Sequence, residues 1–408
     1  MDTDSPTGEY NLDELEFLCK TLDISTHEKI IQKREKTDPK YYVGEGKLEE
    51  ITAKCIESVA NYIIFDDELT PSQLRNLEKR LTRRIVDRSE LILEIFEQRA
   101  RTRSAKLQIE LARMKYMLPR LKRMWTHLSR IEGGISTGGG GGPGEKQIEL
   151  DRRAIRDRIH MLSKKIDKIA NRKKVSIEKR SEEFQVSLVG YTNVGKTTLL
   201  NRLAGTKLFA ENKLFATLDT TTRKVRINSH KKMLISDTIG FIRKIPHDLI
   251  APFYSTLEEL KNADLLLHVA DITHPENEVQ IETVEKELKN LGLEEKPSIL
   301  VLNKIDMLKD NKPNLYSTKD YYAELHLSAK EGIGIEELTE KIESFMIKDY
   351  VLCNVKVDAS EGKLLSLLKA NSDVLHTSIE KTMIHMSLFM DQKFYGRLKK
   401  NYPDLITT

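Results

Sequence analysis

The chain has 408 residues, of which 39% are hydrophobic and 32% are charged, and its formal net charge is +4. This composition is typical of a soluble protein with substantial cores and a heavily charged surface, and the length suits two or three domains. No apolar stretch approaches the roughly 20 residues that span a bilayer, the first residues are no secretory signal, and the three scattered cysteines form no disulfide framework. We therefore expect a cytoplasmic protein without a membrane span, and a monomer.

Residues 1–100 mix short helices and strands and are predicted to form a small α/β domain. Thr70 is a favourable N-cap residue and is followed by proline at the first helical position, which predicts a helix start there. The predicted helices are Asn11–Leu22, Lys47–Ser58 and Pro71–Leu81, and the predicted strand is Asn61–Phe65.

Residues 101–180 are strongly basic, with 22 Lys and Arg against 8 Asp and Glu. Apolar residues recur at steps of three and four from Leu107 to Leu128 and again from Ile148 to Ile169, which predicts two helices. Between them, residues 131–145 are rich in glycine. The pattern predicts a basic antiparallel helical hairpin with a Gly-rich tip and a kink at Pro119. Its charge indicates a polyanionic partner, and an ordinary solvated helix face is the alternative.

Residues 181–348 alternate short apolar strands with amphipathic helices, which predicts an α/β domain with a mainly parallel sheet and helices on both faces. Residues 349–408 are predicted to form a small α+β tail around one helix, Gly362–Ala370. The predicted strands are Phe184–Val189, Met233–Ser236, Leu265–Ala270, Ser298–Leu302 and Leu325–Leu327, and, in the tail, Cys353–Val357, Ser378–Ile379 and His385–Phe389.

The segment Gly190–Thr197 has the pattern Gly-x-x-x-x-Gly-Lys-Thr of a phosphate-binding loop. It follows a predicted strand and precedes a predicted helix, Thr198–Leu203, so backbone N–H groups would point at a phosphate chain. Lys196 would reach the outer phosphates and the Thr197 hydroxyl would hold Mg²⁺. The residues of this loop predicted to bind nucleotide are Gly190, Asn193, Val194, Gly195, Lys196, Thr197 and Thr198.

Two later segments are predicted to sense the γ-phosphate. In Asp237–Gly240, the Asp237 carboxylate would hold Mg²⁺ through water, and the Gly240 N–H would contact the γ-phosphate. A threonine of the polar loop 215–223 would complete the metal shell, with Thr217 as the first candidate and Thr220 to Thr222 as alternatives. The predicted catalytic residues are therefore Lys196, Thr217, Asp237 and Gly240, and the predicted metal ligands are Thr197, Thr217 and Asp237.

Two residues near the predicted phosphates affect the expected rate of hydrolysis. Phe241 stands where many GTPases carry a glutamine that orients the attacking water, and a phenyl ring makes no hydrogen bond. We therefore expect slow intrinsic hydrolysis, with the water positioned by another group or by a partner. Asn193 leaves two hypotheses open: it helps to bind K⁺, as in several related GTPases, or it only stabilises the loop.

The segment Asn303–Asp306 follows the predicted strand Ser298–Leu302, at the edge where open α/β sheets bind ligands. The Asp306 carboxylate can accept hydrogen bonds from N1–H and N2–H₂ of guanine, a pair of donors that adenine lacks. Asn303 and Lys304 would brace the loop and cover the base. Ser328, Ala329 and Lys330 would line the base pocket through backbone N–H groups. Together these motifs predict a P-loop domain that binds GTP and GDP.

Several segments of the chain resemble the HflX family of translational GTPases. Within the predicted GTPase domain they are Gly190–Asn193, Phe215–Asp219, Asp237–His247 and Phe253–Glu259, and outside it they are Tyr42–Lys47, Phe65–Glu78, Gln98–Thr102, Leu118–Leu121 and Gly142–Glu145. The resemblance covers roughly residues 40–345. It implies a cytoplasmic GTPase that binds the large ribosomal subunit, contacts its rRNA with the N-terminal region and splits ribosomes, notably under stress.

The Gly-rich tip is the predicted ribosome contact on this resemblance. Lys and Arg of the two arms would neutralise phosphates, and glycines would let the backbone approach irregular RNA closely. The chain departs from the family in opening almost directly at its first helix and in carrying Gly138–Gly142 where the tip usually has an arginine. The predicted contact residues are Arg130, Gly138, Gly140, Gly142 and Gly144.

Two other functions are alternatives to a ribosome-associated GTPase. A GTP-controlled switch could bind a protein coiled coil through the heptad arms, and its affinity would depend little on salt. An inactive scaffold is disfavoured because Lys196, Thr197 and Asp237 are all present.

Overall fold

The structure, a computed structural model, describes residues 7–121, 143–178, 183–206, 214–215, 218, 220–226, 232–244, 260–308, 320–348 and 350–407. Among these residues, no helix combines the length and the apolar character that crossing a membrane requires. Several predictions concern residues outside the described ranges, and they stay predictions: the metal contact of Thr217 and the ribosome contacts of Arg130, Gly138, Gly140 and Gly142.

The N-terminal region packs helices against a two-stranded parallel sheet of β1 (Tyr62–Phe65) and β2 (Arg84–Asp87). Thr70 and Gln73 form the reciprocal hydrogen bonds of a capping box, so the third helix starts where the sequence predicts. The helices are α1 (Thr7–Thr21), α2 (Glu45–Glu57), α3 (Pro71–Leu81) and α4 (Arg88–Arg99).

β2 and α4 are not among the predicted elements, and both are largely buried. β2 has only four residues, three of them buried, and lacks the alternation that marks a half-exposed strand. α4 buries residues on most of its circumference, including Leu91, Ile92, Leu93 and Phe96, so it has no narrow apolar stripe to detect.

The basic region contains two helices that pack against each other, α5 (Arg103–Met117) and α6 (Pro143–Glu178). Arg158 donates through Nε to Glu110 Oε1 at 2.8 Å, which ties α6 to α5. Pro119 lies in a 3₁₀ turn, Leu118–Arg120, that ends α5, in line with the interruption expected there. The tip predicted over 131–145 is too long, because Pro143, Gly144 and Glu145 already belong to α6; proline is favourable at a first helical position.

A six-stranded sheet follows, in the spatial order β4-β5-β3-β6-β7-β8. Five strands are parallel, and β4 runs antiparallel to β5 at one edge, so the mainly parallel sheet is confirmed. Part of the predicted polar loop 215–223 is wrong, because its last three residues begin β4. The elements are β3 (Phe184–Gly190), α7 (Lys196–Ala204), β4 (Thr221–Arg226), β5 (Lys232–Asp237), β6 (Leu265–Asp271), α8 (Asn277–Asn290), β7 (Ser298–Asn303), β8 (Ala323–His326) and α9 (Ile335–Ile347).

The C-terminal tail is an antiparallel sheet, in the order β10-β11-β9-β12, with helices packed on one face. Alternate residues of its strands, such as Val355 and Leu388, form an apolar core with Leu364 and Leu368. Its strands extend beyond the predicted stretches. The elements are β9 (Tyr350–Asp358), α10 (Gly362–Asn371), β10 (Ser372–Glu380), β11 (Met383–Asp391), α11 (Gln392–Asn401) and β12 (Ile406–Thr407).

Candidate nucleotide site

The phosphate-binding loop follows β3, the strand that separates β5 from β6, and this is where the strand order of the sheet changes direction. Gly190 has φ +150°, and a Cβ there would lie 2.1 Å from the carbonyl oxygen of Val269. Gly195 has φ +98°, and a Cβ there would lie 2.3 Å from Nδ2 of Asn303. Both positions therefore require glycine. α7 begins at Lys196, two residues before the predicted start, so its N-terminus directly ends the loop.

Lys196 is only 6% exposed, and its ammonium lies inside the loop. Nζ donates to the carbonyl oxygens of Gly190 at 3.1 Å and Tyr191 at 2.7 Å. Burial lowers the pKa of Lys196 to about 8, although the negative charge of Asp237 acts in the opposite direction. An anion entering the loop would stabilise this ammonium, so the site suits phosphate.

Thr197 and Asp237 meet at the carboxyl end of β5. The Thr197 hydroxyl donates to Oδ2 of Asp237 at 2.7 Å, and Asp237 is fully buried. Thr238 donates to the carbonyl oxygen of Leu188 at 2.7 Å and so fixes this segment to β3. A hydroxyl and a carboxylate are hard oxygen donors that fit Mg²⁺ held jointly with phosphates. Of the alternative threonines, Thr222 lies in β4 and pairs with the Ser236 hydroxyl at 2.9 Å.

The segment after Asp237 runs beside the phosphate-binding loop. The N–H of Phe241 donates to Gly190 O at 3.1 Å, and the N–H of Thr192 donates to Phe241 O at 2.8 Å. A Cβ on Gly240 would lie 2.8 Å from Cα of Thr192 and 2.9 Å from Nζ of Lys196. The structure thus brings Gly240 and Lys196 together. Phe241 is buried and offers no group that could orient water.

Asn303 and Lys304, at the carboxyl end of β7, brace the phosphate-binding loop. Asn303 donates through Nδ2 to Val194 O at 2.8 Å, and Lys304 donates through Nζ to Asn193 O at 3.0 Å. Lys304 also has a partner that is not among the predicted site residues: Oδ2 of Asp271, the last residue of β6, lies 2.6 Å from its Nζ. The position of Asp271 at the carboxyl end of a parallel strand was the available signal.

The residues predicted to bind the base differ in how accessible their polar groups are. Asp306 lies in an exposed 3₁₀ turn, Ile305–Met307, where its carboxylate can meet a ligand. The N–H of Ser328 donates to Ile333 O at 3.0 Å, and that of Ala329 donates to Oδ1 of Asn303 at 2.9 Å. Both N–H groups serve the protein itself in this structure, so a contact with a base would require them to exchange partners. Lys330 is exposed.

Asn193 has φ +63°, in the left-handed region that asparagine tolerates better than most residues. The backbone conformation alone therefore favours asparagine at position 193, whether or not the residue binds a cation. Both hypotheses for Asn193 therefore stay predictions.

Three consecutive stretches match known protein families: residues 9–97 match GTP-binding GTPase N-terminal, residues 99–180 match GTP-binding GTPase Middle Region, and residues 185–304 match 50S ribosome-binding GTPase. The chain is 39% identical over 400 residues to a GTPase HflX of Lacrimispora saccharolytica, which covers 98% of this chain and 93% of the relative. The chain belongs to the HflX family of GTPases.

A second relative agrees with this HflX membership. A GTPase HflX of Escherichia coli is 40% identical over 359 residues, covering 87% of this chain and 84% of that protein. A crystal structure of a GTP-binding protein from the archaeon Sulfolobus solfataricus in complex with GDP aligns at 27% identity and a TM-score of 0.43, covering 83% of this chain and 96% of that one. The two relatives and the family matches confirm the predicted resemblance to the HflX family. The protein is a GTPase with a P-loop domain, which in general uses nucleotide-bound Mg²⁺.

Proposed function

We propose that this HflX-family GTPase binds the large ribosomal subunit and its rRNA and separates ribosomes under stress, with the bound nucleotide setting its affinity for the ribosome. The observation that carries the proposal is the match of residues 185–304 to a 50S ribosome-binding GTPase domain, directly after a basic helical region. We further propose that the protein acts as a cytoplasmic monomer.

The basic helical region supplies a surface suited to RNA. Among residues 149–169 of α6, whose side chains the structure describes, five cationic side chains are exposed: Arg153, Arg156, Lys164, Lys165 and Lys168. Such cations bind phosphates with little regard to sequence, and each phosphate contact makes the affinity more dependent on salt. The Gly-rich segment between α5 and α6 would add close contacts through Arg130, Gly138, Gly140 and Gly142, and Gly144 would add one from the first turn of α6.

Each residue of the nucleotide site has a proposed role. Lys196 would neutralise the outer phosphates, Gly240 would donate its N–H to the γ-phosphate, and Asp306 would select guanine. Thr197 and Asp237, with Thr217 as the further candidate, would hold Mg²⁺, which supplies positive charge where negative charge develops on the phosphates. Phe241 is buried and cannot position water, so the ribosome would complete the site and raise the slow intrinsic rate.

K⁺ is a second proposed cofactor and has its own test. If Asn193 helps to bind K⁺ beside the phosphates, GTP hydrolysis is faster in KCl than in NaCl at equal ionic strength. Equal rates in the two salts would exclude a role for K⁺ and leave Asn193 as a residue that shapes the loop.

Co-sedimentation with purified ribosomal subunits tests the proposed function. The full chain should pellet with the large subunit in a non-hydrolysable GTP analogue and much less in GDP, and binding should weaken steeply as salt rises. Conversion of intact ribosomes to subunits, followed on sucrose gradients, should depend on GTP.

A charge-reversal pair locates the surface. Lys164→Glu with Lys168→Glu should weaken binding, whereas Lys286→Glu with Lys289→Glu, two exposed lysines on α8, should have little effect. Binding that ignores salt would favour a protein coiled-coil partner instead. The absence of co-sedimentation in either nucleotide state would exclude the ribosome as partner.

A further inference from the structure

Tyr191, the second residue of the phosphate-binding loop, links this loop to two distant parts of the chain. Its hydroxyl donates to Glu14 on α1, with 2.9 Å to Oε1. The same oxygen accepts the backbone N–H of Arg243 at 2.9 Å. One side chain therefore joins the phosphate-binding loop, the N-terminal region and the segment that follows Gly240.

The contacts continue through the N-terminal region and return to that segment. Arg88 on α4 donates through Nη2 to Glu14 at 2.7 Å and through Nη1 to Asp66 at 2.6 Å. Asp66, the residue after β1, accepts Nζ of Lys244 at 2.6 Å. The result is a closed ring of contacts, here called the Tyr191 ring: Glu14, Asp66, Arg88, Tyr191, Arg243 and Lys244.

Most of the Tyr191 ring is buried, and only the Lys244 side chain, at 38%, is substantially exposed. The side chains of Arg88, Asp66 and Glu14 are 2%, 11% and 16% exposed. Burial raises the pKa of Glu14, although Arg88 opposes the shift, and burial together with Glu14 raises the pKa of Tyr191. Tyr191 therefore stays protonated, and its hydroxyl donates a hydrogen bond to Glu14. In such surroundings hydrogen bonds and ion pairs are strong, and a displaced partner is costly.

The ring holds the segment that carries Gly240. Phe241 is fixed by its two backbone hydrogen bonds to the phosphate-binding loop, and Arg243 is fixed by the Tyr191 hydroxyl. The Arg243 side chain adds a hydrogen bond to Oδ1 of Asn11 on α1 at 3.1 Å. Gly240 precedes these anchors by one and three residues, so their positions limit where its N–H can lie.

We propose that Tyr191 is a positioning residue: the Tyr191 ring holds Gly240 where it can meet a γ-phosphate and so couples the N-terminal region to GTP rather than to GDP. The proposal rests on the nucleotide site proposed above. Coupling of this kind is reciprocal, so a partner that displaces α1 or α4 changes the affinity for GTP, and GTP changes the affinity for that partner.

Tyr191→Phe in the full chain is the test, because it removes one hydroxyl and little else. The affinity for a non-hydrolysable GTP analogue should fall about fivefold, as expected for one buried hydrogen bond, and the affinity for GDP should stay within about twofold. Amide hydrogen exchange over residues 241–244 should become faster. The matched control is Tyr321→Phe, which removes a hydroxyl that donates to Glu285 at 2.8 Å elsewhere in the domain, and it should change neither affinity.

A second pair of variants, Glu14→Ala and Glu14→Gln, distinguishes the loss of this hydrogen bond from a general loss of structure. Glu14→Ala should lower the affinity for the GTP analogue as Tyr191→Phe does, and Glu14→Gln should restore part of it because its amide oxygen can accept the Tyr191 hydroxyl. Equal weakening of both nucleotides by Tyr191→Phe, or a gain in affinity for the analogue, overturns the proposal. If the unaltered chain binds neither nucleotide, the nucleotide site itself is wrong.

Discussion

Two buried cations near Tyr191, Lys196 and Arg88, have pKa values shifted in opposite directions. Burial lowers the pKa of Lys196 to about 8, and the nearest acceptors of this lysine are the carbonyl oxygens of Gly190 and Tyr191. Burial also favours the neutral form of Arg88, but the charges of Glu14 and Asp66 outweigh it and raise the pKa of the guanidinium. Arg88 thus has its counter-ions within the protein, whereas the Lys196 ammonium is held mainly by the dipoles of carbonyl groups.

This difference separates a structural cation from a ligand-binding cation. Arg88 is neutralised within the protein, so it contributes to the folded state and has little to gain from a ligand. Burial destabilises the charged form of Lys196, and Asp237 offsets this only in part. A bound phosphate would stabilise the ammonium again through its negative charge. The contrast predicts that removing each cation damages a different property of the protein.

Arg88→Met should have the largest effect on folding. It leaves Glu14 and Asp66 buried without their cation, so the free energy of unfolding should fall by about 3–5 kcal/mol. Urea denaturation of the nucleotide-free protein measures the change. The control is Arg84→Met, whose side chain is 60% exposed and pairs with Glu90, and which should cost less than about 1 kcal/mol. Similar losses in the two variants would contradict the structural role of Arg88.

Lys196→Met should reverse this pattern. The affinity for GDP should fall by about 100-fold or more, because charged hydrogen bonds to phosphate are lost. The stability of the nucleotide-free protein should stay equal or rise, since a buried ammonium is replaced by an apolar chain. Calorimetric titration and urea denaturation measure the two quantities. Retained GDP affinity would show that Lys196 does not bind phosphate.

Asp306→Asn should weaken GDP binding by about tenfold to 100-fold and reduce the preference for GDP over ADP, because the side-chain amide cannot accept both guanine donors. Competition between the two nucleotides measures the preference. Asp320→Asn alters an exposed carboxylate before β8 and should leave it unchanged. An unaltered preference in Asp306→Asn would mean that another group reads the base.

A smaller effect is expected from pH. Above about pH 8 the nucleotide-free protein loses the Lys196 proton that phosphate binding requires, so the affinity for GDP should fall by up to tenfold per pH unit. The free energy of unfolding of the nucleotide-free protein should instead rise with pH. The unfolded chain keeps this proton up to the ordinary pKa of 10.5, whereas the folded protein loses it at about pH 8. The stabilisation of the folded state that this difference provides is therefore fully present above pH 10.5 and is lost as the pH falls through about 8.

Comparison of the unaltered protein with Lys196→Met isolates this group from all others that titrate. Between pH 8 and pH 10.5 the free energy of unfolding of the unaltered protein should rise relative to that of Lys196→Met. A constant difference would show that Lys196 has an ordinary pKa.

The sequence predicted the elements whose signal is local. The apolar runs of β6 and β7, the capped start of α3 and the glycines of the phosphate-binding loop each depend on residues close together in the chain. It missed α4 because burial on most sides removes the amphipathic pattern. It assigned Thr221 and Thr222 to a loop because polar residues at a sheet edge resemble a loop, although the pairing of β4 with β5 makes them a strand.

By itself, the sequence determined the phosphate-binding loop and its metal and base motifs, because phosphate is bound largely by consecutive backbone N–H groups and a few side chains at set spacings. Only the tertiary structure decided what Tyr191 and Arg88 do. Tyr191 and Glu14 are 177 residues apart, and Arg88 and Glu14 are 74 residues apart. No local pattern marks such partners, since only the packing of the N-terminal region against the GTPase domain brings their charges into one buried ring.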